Sequence, residues 1–289
     1  MKNILVATDF SGCAINAMNM GLALAEYFDA TIHYLNTMDD TRNGEALGFS
    51  LLANSVAEKA YIEHVNVLFR KWEEEAIVRN VKIKTICTSG KMLPVLKDYV
   101  DKNHIDFVVM GSHGHSGVKG FFIGSNCQKV VRALHVPVFI LKDKAIKYEF
   151  KNVVFASNFK DEEKASFQKF LEFIQKFKPE VIHLVAVNTL NSFTKSTEEM
   201  EEHLDEFAKQ CKFSKCEKHI YPDLFVESGI RHFSEKVNAD LIVISNHNRH
   251  PVKRIFSGST VEALVQNSTL PVLSIDFSEE EILIGKKDY

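Results

Sequence analysis

A glycine-rich segment late in the first half of the chain carries the residues best suited to hold an anion. It reads Gly111-Ser112-His113-Gly114, nine further residues, then Gly124-Ser125-Asn126 at the start of a helical pattern. Gly111 and Gly114 leave room for a phosphate chain to approach backbone N–H groups, and either can take positive φ where those groups must converge. Gly124-Ser125 lies at a helix start, where unsatisfied N–H groups and the helix dipole favour negative charge, and Ser125 adds a hydroxyl donor. Asp9, ending the first apolar run, would face the same crevice and suits a ribose hydroxyl or a metal-bound water. This is not a Walker loop, because no Gly-Lys-Ser/Thr follows at the required spacing. The chemistry indicated is binding: no general base stands at a defined distance from a γ-phosphate and the loop has no arginine finger, so any hydrolysis should be slow. No residue is assigned a catalytic role.

Such a loop needs a sheet to carry it, and the chain supplies two. Residues 2–10, Lys-Asn-Ile-Leu-Val-Ala-Thr-Asp-Phe, align with residues 151–159, Lys-Asn-Val-Val-Phe-Ala-Ser-Asn-Phe, at an offset of 149. Further on, residues 106–110 align with 240–244, and Gly124-Ser125 with Gly258-Ser259, at an offset of 134. Ile32-His33 with Ile182-His183, and Val136-Pro137-Val138 with Leu270-Pro271-Val272, support the register. The drop in offset gives the first half extra residues between Asp39 and Arg79. A repeat this long is a domain duplication, since a solenoid shows much shorter periods. The expected domains are 1–146 and 147–289, joined by a charged link.

Within each half, short apolar β-rich runs alternate with longer helical ones, the pattern of a parallel sheet covered on both faces. Strands are predicted at 3–8, 31–37, 81–87, 106–111 and 137–142, with helices at 12–28, about 50–79, 91–103 and 124–134. The second half repeats the order, with strands near 152–157, 181–187, 217–221, 240–245 and 271–276. Each half is thus expected to be a doubly wound α/β domain with five parallel strands. Ligands in such sheets sit beyond the carboxyl ends of the strands where strand order reverses, which directs attention to the loops after the first and fourth strands.

The Gly-x-x-Gly, nine residues, Gly-Ser spacing, the strand-Thr-Asp-Phe-Ser opening and the closing Val-Pro-Val strand together resemble the universal stress protein family, twice over along the chain. The resemblance implies a Rossmann-like, adenine nucleotide α-hydrolase-like fold with strand order 3-2-1-4-5. It also implies ATP as the ligand, with or without Mg2+, and a stress-response or signalling role. Carried over residue by residue, Ala7, Thr8 and Asp9 would contact adenine and ribose, and Thr37, where the family usually has Val, would line the adenine pocket. Met110, Gly111, His113, Gly114, Gly124, Ser125 and Asn126 would hold ribose and phosphates. Family members pair through their last strands, so the halves are expected to form an internal pseudo-twofold dimer, and whole chains can pair again.

The second half departs from this pattern. Asn158, Ser245 and Asn248 stand where the first half has Asp9, Gly111 and Gly114, and Pro251 replaces Gly117. Side chains then occupy space the phosphates need, so an intact nucleotide site is expected only in the first half.

Other constellations favour plainer readings. His113, His115, His247 and His250 lie in the two loops without a third ligand, and no metal site is assigned. Cys211, Cys216 and His219 have a zinc-like spacing, but strand alternation separates His219 from its neighbours. Cys13, Cys87 and Cys127 fit small buried positions, and Cys127, one turn into a helix, is the thiol whose pKa the sequence would lower. Glu198, Glu199, Glu201, Glu202 and Glu206 read as a solvated helix face. In the long first-half helix, Val56, Ala60, Val67 and Trp72 are expected to bury one stripe.

Composition excludes several classes. A net charge of −3, with Lys and Arg spread along the chain, lacks the footprint of a nucleic-acid binder. Apolar runs are too short to span a bilayer, the amino terminus enters a strand directly, and five irregularly spaced cysteines suggest reduced thiols, so a cytoplasmic location is expected. An adenylating or pyrophosphatase-type relative would need a different loop after the first strand. A structural pseudodimer that recruits an unknown protein partner without nucleotide is the alternative function.

Overall fold

The computed structural model describes residues 1–38, 50–113, 125–142, 149–189, 197–245 and 260–275. Contacts divide the chain into two compact units, the first being Met1–Ala133 and the second taking Leu134–Lys142 together with the second half. No helix among the described residues is long and apolar enough to cross a membrane.

The first unit contains β1 (Asn3–Ala7), α1 (Gly12–Phe28), β2 (Thr31–Met38), α2 (Ser50–Val78), β3 (Lys82–Ser89), α3 (Met92–Lys102), β4 (Phe107–Gly111) and α4 (Ser125–Ala133). Its strands lie in the order β3-β2-β1-β4, and every pair is parallel. Strand alternation on β2 shows how two helical layers are served. Tyr34 points one way, donating from its hydroxyl to the Met18 carbonyl of α1 at 3.0 Å and stacking on Phe69 of α2. His33 points the other way, meeting Tyr99 of α3. Both sides of the strand are therefore buried, as its apolar run requires.

Local chemistry sets the ends of α1. Ser11 is the N-cap and its side chain accepts from the N–H of Ala14 at 3.3 Å, while Asp29 closes the helix in the left-handed region at φ 51°. The helix lies so close to the sheet that a Cβ on Gly21 would stand 2.4 Å from Val6 Cγ2.

The buried stripe of α2 differs from the expected one. Val65, Phe69, Trp72 and Ala76 are buried, whereas Val56, Ala60 and Val67 are exposed. At about 100° per residue, Val67 lies roughly 140° from Trp72, so one face cannot bury both. The spacing 65-69-72-76 keeps a single face.

The second unit contains β5 (Val138–Leu141), β6 (Asn152–Ala156), α5 (Lys164–Ile174), β7 (Val181–Asn188), α6 (Thr197–Ala208), β8 (Lys215–Pro222), α7 (Val226–Lys236), β9 (Leu241–Ser245), α8 (Thr260–Asn267) and β10 (Val272–Ile275). Strands β8-β7-β6-β9-β10 are parallel in that order, the 3-2-1-4-5 arrangement. β5 adds to the far side of β10 in the antiparallel sense, with Phe139 opposite Leu273, and Lys142 donates to the Val265 carbonyl of α8.

One face of this sheet is aromatic: Phe155 of β6 packs on Phe167 and Phe170 of α5 at ring separations of 5.0 and 4.9 Å. Phe207 of α6 joins the cluster through Phe159 and Phe167. The other face buries Val154, Val185 and Phe233 of α7. The acidic residues of α6 at 198, 199, 201, 202 and 206 are exposed, as a solvated helix face should be.

Candidate functional site

In the first unit, strand order reverses at β1, whose two neighbours are β2 and β4. Ala7 and Met110 are register partners at the carboxyl ends of β1 and β4, so the two segments singled out by the sequence leave the sheet side by side. Met110 is buried and Ala7 partly so.

Beyond Ala7 the chain turns sharply. The Thr8 N–H donates to the Leu35 carbonyl at 2.9 Å, its hydroxyl contacts Met18 Sδ at 3.1 Å, and the same Oγ1 accepts from the N–H of Phe10 at 3.0 Å. Phe10 takes φ 59°, a conformation repeated by Phe159 at 51° in the second unit. Asp9 is exposed at the apex, and its Oδ1 accepts from the N–H of Ser11 at 3.0 Å. One carboxylate oxygen thus supports the turn into α1, in addition to whatever the group does at the crevice.

Gly111 ends β4, and its lack of a side chain has a visible cause. A Cβ there would lie 2.9 Å from the Cys13 carbonyl carbon and 3.0 Å from the Ala14 nitrogen, in the first turn of α1. In the second unit Ser245 fills this position, and the segment matching the first turn of α1 in sequence, Asp161–Glu163, is a 3-10 turn, with α5 starting only at Lys164. Ser112 follows, buried, with its hydroxyl 3.7 Å from Cys13 Sγ and 3.1 Å from His113 Nδ1.

Thr37 lies near the end of β2 beside Thr88 of β3, partly exposed. Ser125 is the first residue of α4 and Asn126, in the same turn, is exposed. Gly114, Gly124, His115 and Gly117 lie outside the described residues, as do His247, Asn248, His250, Pro251, Gly258 and Ser259 of the second half.

Sequence reasoning missed Asn36. It is buried, its side-chain N–H donates to the Thr8 carbonyl at 2.9 Å, and its Oδ1 accepts from the Tyr61 hydroxyl of α2 at 3.0 Å. Cys87 Sγ of β3 lies 3.7 Å from the same oxygen. Burial raises the pKa of both Tyr61 and Cys87, which keeps these groups as neutral donors. The second unit has Ala186 and Ile220 at the matching register positions, so this polar brace beneath the β1 turn belongs to the first unit. An amide directly after Leu35, before the predicted end of the second strand, was the available signal.

All five cysteines are free thiols. Cys13 and Cys127 are buried, but the thiol whose pKa falls is Cys211, reaching about 7 because the Cys216 thiol hydrogen-bonds it. Sequence reasoning had singled out Cys127 and did not anticipate Cys211, whose neighbouring thiol is brought to it by the fold. Cys216 and His219 lie three residues apart on β8 and so face opposite sides of the sheet, which separates the zinc-like spacing.

The model of the universal stress protein family matches residues 1–142 and again residues 149–275. A universal stress protein of Methanocaldococcus jannaschii is 25% identical over 149 residues, covering 49% of this chain and 82% of that protein. A second from the same organism is 28% identical over 155 residues, covering 50% and 96%. The crystal structure of a universal stress protein from Archaeoglobus fulgidus covers 96% of this chain and 98% of that one with a TM-score of 0.73 at 19% identity. A putative universal stress protein from Pseudomonas aeruginosa covers 99% and 96%, with a TM-score of 0.65 at 14% identity. These last two likenesses concern the fold. With the family pattern met twice along one chain, in two units built on the same strand order, the chain belongs to the universal stress protein family as a tandem, two-domain member.

Proposed function

We propose that the chain is an adenine-nucleotide-binding stress or signalling module that holds ATP in the first unit and hydrolyses it slowly or not at all. The observation that carries this reading is the pairing of Ala7 with Met110 at the strand-order reversal, with Asp9 and Ser112-His113 leaving the sheet side by side. The sequence of that unit keeps Gly111, Gly114 and Gly124-Ser125, the residues suited to a phosphate chain. The Asn36 brace adds rigidity to the turn that would face the base and ribose. In the second half, Asn158 and Ser245 support the reading that its counterpart is degenerate.

A nucleotide-independent module that recruits a protein partner is the competing reading. The contact of Gly111 with the first turn of α1 favours it at that one position, because close packing alone accounts for that glycine. Gly114 and Gly124 decide between the two.

The test is to denature the purified protein and identify released nucleotide by mass spectrometry, beside a Gly114→Val variant. The wild type is expected to release about one ATP or ADP per chain and the variant none, because a branched side chain obstructs the phosphate path. Equal release from both would remove the first-unit site. Two nucleotides per chain would overturn the degenerate second half, and turnover above roughly 1 per second would reject a binding module in favour of an enzyme.

A further inference from the structure

His183 of β7 is the counterpart of His33 of β2, yet the two stand in different company. In the first unit the strand neighbour of His33 is Lys84, two residues on is Ile86, and Tyr99 of α3 hydrogen-bonds His33 Nδ1 at 2.8 Å. In the second unit the corresponding residues are Glu217, His219 and Phe233. The register sets His183 beside Glu217 and Val185 beside His219, and alternation puts Glu217 and His219 on the same face as His183. A cation has become a carboxylate, an isoleucine has become a second imidazole, and the tyrosine hydroxyl has been lost.

These three side chains converge. His183 Nδ1 lies 3.1 Å from His219 Nε2, and Glu217 Oε2 lies 3.4 Å from the first nitrogen and 3.7 Å from the second. The two carboxylate distances are too long for good hydrogen bonds, so direct bonding to the rings does not explain why Oε2 faces both. Together the three separations, 3.1, 3.4 and 3.7 Å, bracket those of a coordination shell: ligand atoms about 2.0–2.2 Å from a tetrahedral zinc ion stand about 3.3–3.6 Å from one another, so shifts of a few tenths of an ångström would seat an ion. Oε1, the other oxygen of Glu217, is held by Lys215 Nζ at 2.5 Å, which fixes the carboxylate with Oε2 turned inward. Phe233 packs against both rings, 5.8 Å from His183 and 4.6 Å from His219, and limits their rotation.

We propose that His183, Glu217 and His219 form a binding site for a divalent late first-row transition ion of the zinc type, with a fourth position open to water or an exogenous ligand. Two imidazoles and one carboxylate suit such ions and leave the shell incomplete, as three-ligand sites do. His183 is nearly buried while Glu217 and His219 keep side-chain exposures of 33% and 28%, so the ion has a path in and the open position a path out. The site lies on the α7 face of the second sheet, away from the thiols Cys211 and Cys216. It is independent of the nucleotide reading.

The test uses the full chain after chelator treatment and buffer exchange, titrated with Co(II) and Zn(II). Binding is followed by visible d–d absorption for Co(II), elemental analysis after desalting for Zn(II), and thermal melting. The comparison is the double variant Glu217→Lys with His219→Ile, which carries the residues found at these positions in the first unit, beside the single variant His219→Ile. The wild type should take up one ion that raises its melting temperature, and each variant should lose affinity by more than about tenfold. A Cys211→Ser, Cys216→Ser variant should retain the ion. Equal uptake by the wild type and a folded His219→Ile variant, no uptake by the wild type, or loss in the double-serine variant would each overturn the proposal.

Discussion

Asp106, one residue before β4, accepts a hydrogen bond through Oδ2 from the N–H of Asn3 at 2.9 Å, and the same oxygen takes the N–H of Lys2 at 2.6 Å. Asp240 does this for Asn152 and Lys151, at 2.8 and 2.9 Å. One carboxylate therefore fixes the start of the central strand of each unit against its neighbour. Asp106→Ala and Asp240→Ala should each destabilise their own unit by about 1–2 kcal/mol, since each leaves two backbone donors without their charged acceptor. Urea unfolding followed separately in the two units checks this, and the Asn variants should recover part of the loss.

Asn36 offers a sharper contrast between stability and binding. Asn36→Ala removes the donor to the Thr8 carbonyl and the acceptor of Tyr61, leaving buried polar atoms that cost about 1–3 kcal/mol. If nucleotide uses the β1 turn, this variant should also weaken ATP-dependent thermal stabilisation. Tyr61→Phe should be milder in both respects. A thermal-shift titration with ATP separates the two effects.

His33 makes the first unit sensitive to mild acid. Burial, and then the positive charge of Lys84 on the next strand, pull its pKa from 6.5 to about 4. Its Nε2 is buried and lacks a hydrogen-bond partner among the described residues. Because the unfolded chain binds this proton more readily, the neutral ring's contribution is intact above pH 6.5 and is lost as pH falls from there to about 4. The loss is at most about 1.4 kcal/mol per pH unit in that window. In His33→Asn, which keeps a polar atom near Tyr99, stability should vary less with pH between 7 and 4.

Cys211 should be the first thiol alkylated near pH 7.5. Its pKa is held near 7 by the Cys216 thiol, and Cys13 and Cys127 are buried. Iodoacetamide labelling with peptide mass spectrometry gives the order. Cys216→Ala should slow the labelling of Cys211, and unchanged rates would show that the neighbouring thiol is not the cause.

Much of the fold was legible because parallel strands buried on both faces leave near-continuous apolar runs, and because the chain states its pattern twice. The predicted run 31–37 became Thr31–Met38, and 12–28 became Gly12–Phe28 without change. The stripe of α2 was misread because its apolar residues cover more than one face, and only the position of Tyr34 and Phe10 against Phe69 selects the buried one. The His183–Glu217–His219 group could not be read at all: alternation pairs Glu217 with His219, but bringing in His183 requires the strand register. Asp9 and Gly111 were legible as types and spacing, while their structural duties, supporting the turn and admitting α1, depend on contacts that no linear pattern encodes.

The antiparallel addition of β5 to β10 bears on how the polypeptide can be divided. Truncation at residue 148 removes Val138–Leu141, and with it the strand paired to β10. A fragment starting at residue 149 would then display a bare row of β10 amides and carbonyls, a template for another copy of itself. Such a fragment is expected to self-associate edge to edge through β10. A second half that keeps β10 paired within itself therefore has to begin before Val138.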